Sequence, residues 1–490
     1  MKNEMRGEEF EMIAKTFQGL ETVLATELID LGANNIQIGR RMVSFTGDKE
    51  MLYRANFQLR TAIKILKPLK HFHATSADEV YSAVQEIDWT QYLTNETTFA
   101  VDSVVFSTEF RHSKFVAYKV KDAIVDQMRE KTGERPNIRV TNPDLQLHIH
   151  IAEFDCTLSL DSSGESLHRR GYRQESVEAP LNEVLAAGII MLTGWKGQCD
   201  LIDPMCGSGT IPIEAALIAR GIAPGVYRKE YAFEKWSDFD QELFDSIYED
   251  DSREHDFAHH IYGYDINRNA VAIAQNNVKA AGLSKEISIA QQDFADFKQP
   301  QEKSVIITNP PYGERISAPD LLGLYKMIGS KLKHNFIGGD AWVLSYREEC
   351  FDQIGLKPSL RTPLYNGSLE CELRKYQMFS GKFDEMRAKG GDIKTAQERR
   401  MMADRKRFKQ HRDFKDKVED NPREALARRS QRFRRKDDRE DFKHRDFKKK
   451  GSRDEERRDF KRDGERRDFK RGGERKPFNK SKSNNKNRKW

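Results

Sequence analysis

The chain has 490 residues, room for several domains, yet only 37% are hydrophobic and 33% are charged. The average hides two unlike parts: residues 383–490 carry 41 Lys+Arg against 23 Asp+Glu, a net of +18, whereas residues 1–382 are net −12. The longest apolar run, Val184–Leu192, is too short to cross a bilayer, and the charged N-terminus lacks the apolar core of a signal peptide. Five scattered cysteines (Cys156, Cys199, Cys206, Cys350, Cys371) offer neither a disulfide framework nor metal-ligand spacing. These features point to a cytoplasmic location, with no membrane partner and no metal.

Residues 9–66 read as strand, helix, two strands, helix, strand. The helix over Gly19–Leu31 carries Leu20, Val23, Leu24, Leu28 and Leu31 on one face. That order is ferredoxin-like, and the first module is set at 1–70. A second α+β module, 71–162, follows. Ser76–Ile87 reads as helix and Thr98–Ser107 as strand. Lys114–Lys131 is an amphipathic helix with Val116, Val120, Ile124 and Met128 on one side. Leu145–Ala152 and Phe154–Leu160 form a hairpin. Arg111, Lys114, Lys119 and Lys121 (with His112) cluster in this otherwise acidic body. They are either a solvated helix face or a phosphate-contacting surface.

From 163 to 382 strands and helices alternate, as in an open α/β sheet. Expected strands are Asp200–Ile202, Tyr262–Tyr264, Ile287–Ala290, Val305–Thr308, Ala341–Ser345 and Leu373–Phe379. Residues 222–258 form an aromatic and acidic insertion, read as a lid over a site. After Gly381 regular structure is expected to stop. Residues 383–490 repeat an Arg-Asp-Phe-Lys unit, as at Arg412-Asp413-Phe414-Lys415 and Arg467-Asp468-Phe469-Lys470. With few aliphatic residues this tail is expected to be disordered. Its interleaved Arg and Phe suit contact with RNA phosphates and stacking on bases.

Chemistry concentrates at strand ends. Asp203-Pro204-Met205-Cys206-Gly207-Ser208-Gly209-Thr210 follows the first strand of the α/β unit and opens a helix. It lacks the third glycine of a dinucleotide fingerprint and the Gly-Lys-Ser/Thr of a P-loop. An acidic residue opening the loop suits a cationic ligand. Asp265 ends the second strand, where a carboxylate can accept from ribose hydroxyls. Asp293 ends the third. The fourth runs into Asn309-Pro310-Pro311-Tyr312. There the Asn309 amide oxygen and Pro310 carbonyl can accept from one amino group while Tyr312 stacks on a planar ring. Singly, each residue is more often a cap or a turn residue. Four in succession point to a ligand crevice.

This order of motifs resembles a class I S-adenosylmethionine-dependent methyltransferase, and Asn-Pro-Pro-Tyr resembles its amino-methylating branch. Ser166–Arg173, Ala179-Pro180-Leu181-Asn182-Glu183, Asp203–Thr210, Ala223-Pro224-Gly225, Asn309–Arg315 and Tyr365-Asn366-Gly367 resemble, more closely, the bacterial 23S rRNA guanine-(N2) methyltransferase family (RlmL-like). The resemblance covers about residues 8–381. It implies a Rossmann-like seven-stranded methyltransferase domain behind ferredoxin-like and THUMP RNA-binding modules, with S-adenosyl-L-methionine as cofactor. Some members carry a second methyltransferase domain, and this chain has the basic tail in its place. By the same resemblance Asp203, Gly207, Gly209, Asp265, Asp293 and Asn182 hold or border the cofactor, and Asn309, Pro310 and Tyr312 present the target base. The implied activity is methylation of a guanine 2-amino group in 23S rRNA or a ribosomal precursor. A tRNA guanine and an RNA-binding assembly factor acting through its tail are the alternatives.

Overall fold

The structure is a computed structural model describing residues 8–298, 303–311, 313 and 320–378. Tyr312, Glu314, Arg315 and the tail at 383–490 lie outside the described residues.

The first module runs β1 (Phe10–Lys15), α1 (Glu21–Leu31), β2 (Asn34–Gly39), β3 (Met42–Gly47), α2 (Lys49–Gln58) and β4 (Lys64–His73). Alternate residues Met12, Ala14, Val43 and Phe45 turn inward against Leu24, Leu28, Leu52 and Ala55 of the two helices. Asp48 starts α2 by accepting from the Met51 N–H at 3.0 Å. The second module adds α3 (Ala77–Gln85), β5 (Thr98–Phe106), α4 (Ser113–Thr132), β6 (Asn137–Ile138), β7 (Leu145–Ala152) and β8 (Asp155–Asp161). The two modules share one eight-stranded sheet, ordered β2-β3-β1-β4-β8-β7-β5-β6. Antiparallel pairing of β4 with β8 joins them, with an irregularity between Pro68 and Lys70. A proline cannot donate to the ladder, which accounts for the break there.

The α/β unit comprises α5 (Glu183–Thr193), β9 (Asp200–Asp203), α6 (Thr210–Ala219), α7 (Gln241–Tyr248), β10 (Ile261–Asp265), α8 (Arg268–Ala280), β11 (Ile287–Gln291), β12 (Ser304–Thr308), α9 (Leu321–Asn335), β13 (Asp340–Ser345), α10 (Glu348–Ile354), β14 (Leu360–Asn366) and β15 (Leu369–Gln377). Its seven-stranded sheet has the order β11-β10-β9-β12-β13-β15-β14, parallel except for β15, which is antiparallel to both neighbours. Chain order reverses between β9 and β12. Helices leave that point on opposite faces and open a crevice at the strand ends.

The insertion at 222–258 is not a lid. Tyr231, Phe233, Phe244 and Ile247 are buried with Leu52, Tyr53 and Phe57 of the first module. Phe233 stacks on Tyr53 with centroids 4.4 Å apart, and the Asp240 N–H donates to Tyr53 Oη at 3.0 Å. The insertion is a clasp between modules. A buried polar seam reinforces it: Arg60 donates to the Ile222 carbonyl at 2.6 Å. Tyr172 Oη donates to Glu214 at 2.9 Å, and Arg170 lies 3.5 Å from the same carboxylate.

Candidate active site

Parallel pairing aligns Asp203 with Gly263 and Ile306 with Ile202. It brings the ends of β9, β10 and β12 to one edge. There Asp203, Gly207, Asp265, Asp293, Asn309 and Pro310 line a single cavity of about 390 Å³. Ile266, Phe294, Leu324, Met327 and Leu369 supply its apolar walls.

Asp203 is 1% exposed. Its Oδ1 accepts from the Met205 N–H at 3.2 Å. Burial pushes its carboxyl up to about 7, and the nearby Asp265 charge adds to the rise. A carboxylate so desolvated is stabilised by any cation entering the cavity. Asp265 braces the glycine loop. Its Oδ2 accepts from the Gly207 N–H at 3.0 Å and its Oδ1 from the Asn267 N–H at 2.8 Å. Gly207 and Gly209 sit at φ 55° and 83°, left-handed values that glycine adopts without strain. The loop turns tightly there, with the Gly209 N–H donating to the Cys206 carbonyl at 2.9 Å. Asp293 is exposed on the cavity rim and caps a short turn through the Ala295 N–H at 2.8 Å.

Asn309 follows β12. Its Oδ1 is buried and has no hydrogen-bond partner among the described residues. An orphaned buried acceptor costs roughly 1–3 kcal/mol, so a donor entering the cavity regains that energy here. Pro310 is buried beside it.

Asn182 departs from expectation. It does not line this cavity. Its Oδ1 caps α5, accepting from the Val184 and Leu185 N–H groups at 3.0 and 3.4 Å. The basic cluster is only partly available: Lys119 pairs with Asp78 and Lys121 with Asp122, each at 2.7 Å. Arg111 and Lys114 are both exposed.

Sequence reasoning named Ala179-Pro180-Leu181 only as part of a family motif and missed the strap at residues 174–181, whose Val177 to Leu181 form one cavity wall. Two side chains clamp it. Asn277, 1% exposed, accepts from the Gln174 N–H at 2.9 Å and donates to the carbonyls of Glu175 and Ser208 at 2.9 and 3.0 Å. Arg173 donates to Glu183 at 2.8 Å, and to the Leu181 carbonyl and Thr210 Oγ1 at 3.0 Å each. Between the clamps Ala179 holds φ 54°, unusual for a residue with a Cβ. One signal was present: Asn277 interrupts the apolar stripe of α8 formed by Val271, Ala274 and Val278.

Three family models match consecutive stretches: the RlmL ferredoxin-like domain over residues 11–66, the THUMP domain over 74–161, and the RMKL-like methyltransferase domain over 170–375. The Synechocystis sp. protein slr0064, provisionally named an RNA methyltransferase, is 38% identical over 369 residues, which are 75% of this chain and 96% of that protein. The ribosomal RNA large subunit methyltransferase K/L of Syntrophotalea carbinolica is 38% identical over 380 residues, 75% of this chain and 53% of that protein. The chain thus spans about half the length of the K/L relative. The crystal structure of SMU.472, provisionally named a methyltransferase and complexed with SAH, superposes with a TM-score of 0.69 at 29% identity. It covers 76% of this chain and 99% of that one. With its three modules in that order, its strand-end cavity and these relatives, the chain belongs to the RlmL-like methyltransferase family.

Proposed function

We propose that the protein transfers a methyl group from S-adenosyl-L-methionine to the exocyclic 2-amino group of a guanine in 23S rRNA, acting in the cytoplasm. The observation that carries this reading is the unpartnered Asn309 Oδ1, on a residue lining the same cavity as the buried Asp203. The chain divides for this purpose into 1–70, 71–162, the catalytic unit 163–382 and the basic tail 383–490.

The residues present fit the cofactor. Asp203 has a desolvated carboxylate suited to an ammonium group. Asp265 and Asp293 offer acceptors for ribose hydroxyls and an adenine amine, and Gly207 and Gly209 let backbone approach closely. When bound, the cofactor supplies an electrophilic methyl group. Asn309 Oδ1 and the Pro310 carbonyl then accept from the target amine. Accepting those hydrogens draws the nitrogen lone pair out of conjugation with the ring and aims it along the transfer axis. Tyr312, which the family resemblance assigns to stacking on the base, lies outside the described residues. The proton shed after transfer passes to solvent, so no strong base is required beforehand. Rate enhancement comes mainly from positioning and from the preorganised acceptors. A base paired in the RNA must first be flipped out, at a cost of a few kcal/mol.

The test uses 23S rRNA and tRNA from a strain lacking the protein, each incubated with purified protein and labelled S-adenosylmethionine, then digested to nucleosides. N2-methylguanosine in 23S rRNA is the expected product. Label in tRNA alone would reassign the substrate, and label in neither would leave an RNA-binding role.

A further inference from the structure

A second concavity, about 1040 Å³, lies where all three modules meet. Its walls are Lys64 of β4, Asp102 of β5, the loop at 140–143, the linker at 163–171 and residues 227–232 of the clasp. Pro180 and Leu181 line both this groove and the catalytic cavity, so the strap partitions the two.

The groove is preformed. Arg228 donates to the carbonyls of Ser163, Glu165, Ser166 and Arg169 at 2.9–3.2 Å, fixing the linker. Gly171, at φ 110°, packs so close that a Cβ would lie 2.1 Å from the Tyr227 carbonyl oxygen. Asn142 Nδ2 donates to Glu230 at 2.8 Å and ties the 140–143 loop to the clasp.

In an acidic body, the groove still presents cations toward solvent. Of its cations, Lys64 pairs with buried Asp161, Arg170 with buried Glu214, Arg173 with Glu183 and Arg169 with Glu165, which leaves Arg228 and Lys229 with no carboxylate partner among the described residues. Arg228 spends its donors on neutral carbonyls, so its charge is not cancelled by those bonds. Arg169 and Lys229 stand on the rim; Arg169, its side chain 66% exposed, pairs with Glu165 at 2.7 Å, and an exposed pair of that kind is worth little enough for a phosphate to displace the carboxylate. The basic cluster on α4 lies on the other side of the sheet. Val116, Val120 and Ile124 of α4 pack with Phe99, Val101 and Leu147. Asp102 and Gln146, which line the groove, alternate with these and face away.

We infer that the groove is the track for the RNA strand: a single-stranded segment held by its phosphates against Arg169 and Lys229, beside the strap, with its target base delivered to Asn309. This rests on the RNA reading above and changes which face of the second module carries the substrate. The α4 cluster becomes an outlying contact.

The experiment uses the full chain and a 23S rRNA fragment that the wild type methylates. Arg169→Glu with Lys229→Glu should raise KM for RNA about tenfold, as expected for losing phosphate contacts, and should raise it more than Arg111→Glu with Lys114→Glu does. Calorimetric affinity for S-adenosylmethionine should not change. If the reversed pair loses cofactor binding, the milder pair Arg169→Gln with Lys229→Gln carries the same comparison. Ultraviolet cross-linking should place RNA adducts on peptides from 163–171 and 227–232. Adducts confined to 111–121, or a larger KM effect from the α4 pair, would overturn the groove while leaving the methyltransferase reading intact. A wild type that methylates no RNA fragment would instead remove the reading beneath it.

Discussion

Asp203→Asn should stabilise the cofactor-free protein while disabling it. Asp203 is 1% exposed, and burial moves its carboxyl from an ordinary 3.8 up to about 7. Below pH 3.8 the side chain is neutral in both folded and unfolded chains and its titration contributes nothing. Between 3.8 and about 7 the folded chain holds a proton that the unfolded chain has released, so stability falls as pH rises, by about 1.4 kcal/mol per unit. Above about 7 the full cost of about 4 kcal/mol is in place. Asparagine removes the titration and keeps an oxygen for the Met205 N–H. The assay is urea unfolding of both proteins at about pH 5, 6, 7 and 8 without cofactor. The stability gap should widen across the lower part of that range and level off above about pH 7. S-adenosylmethionine, whose ammonium favours ionised Asp203, should bind the wild type more tightly at about pH 8 than at about pH 6, and this pH dependence should vanish in the variant. Parallel stability curves would refute the argument that an unpaired buried carboxylate awaits a cation.

Other expectations concern neighbouring residues. Asn309→Ala should lower kcat roughly 10²–10³-fold, the scale of losing one preorganised polar group, with cofactor affinity measured by calorimetry intact; normal turnover would sink the assigned role. Asn277→Ala should cost about 1–3 kcal/mol by freeing buried backbone groups, and steady-state kinetics should show KM for S-adenosylmethionine rising more than KM for RNA. Phe233→Ala should cost roughly 3–5 kcal/mol in urea unfolding, yet leave cofactor affinity nearly unchanged, because Phe233 stacks on Tyr53 and does not line the cavity. A large loss of cofactor affinity there would restore the lid.

Much of the architecture was legible because the relevant forces are local. Strands β5, β7 and β8 carry apolar residues at alternate positions, and α4 repeats at helical spacing, so their periods identified them. That Asp203, Asp265, Asp293 and Asn309 would line one crevice was legible because each stands at or just beyond a strand end, and a parallel sheet brings such ends together. Helix α5 was missed because Val184–Leu192 is apolar on every side and has no period to read. Strand β14 was missed because Arg361 and Pro363 mark it as an edge. Aromatic density in the insertion suggested a ligand cover, but those rings fill an interface whose other half lies almost two hundred residues earlier. The strap was hard to read for a similar reason: Asn277 holds backbone groups about a hundred residues away, and the only local trace of that bond is a polar residue in the apolar stripe of α8. Asn182 was assigned to the cofactor's border by the family resemblance alone, but an Asn just before an apolar run is also the signature of a helix cap.

The most direct test of the account is nucleoside mass spectrometry on 23S rRNA from a strain lacking the protein, after incubation with wild type or Asn309→Ala and S-adenosylmethionine. The account predicts one new N2-methylguanosine with the wild type and none with the variant. A methyl group on an adenine, on a ring nitrogen or on ribose, or equal N2-methylguanosine from both proteins, would contradict it.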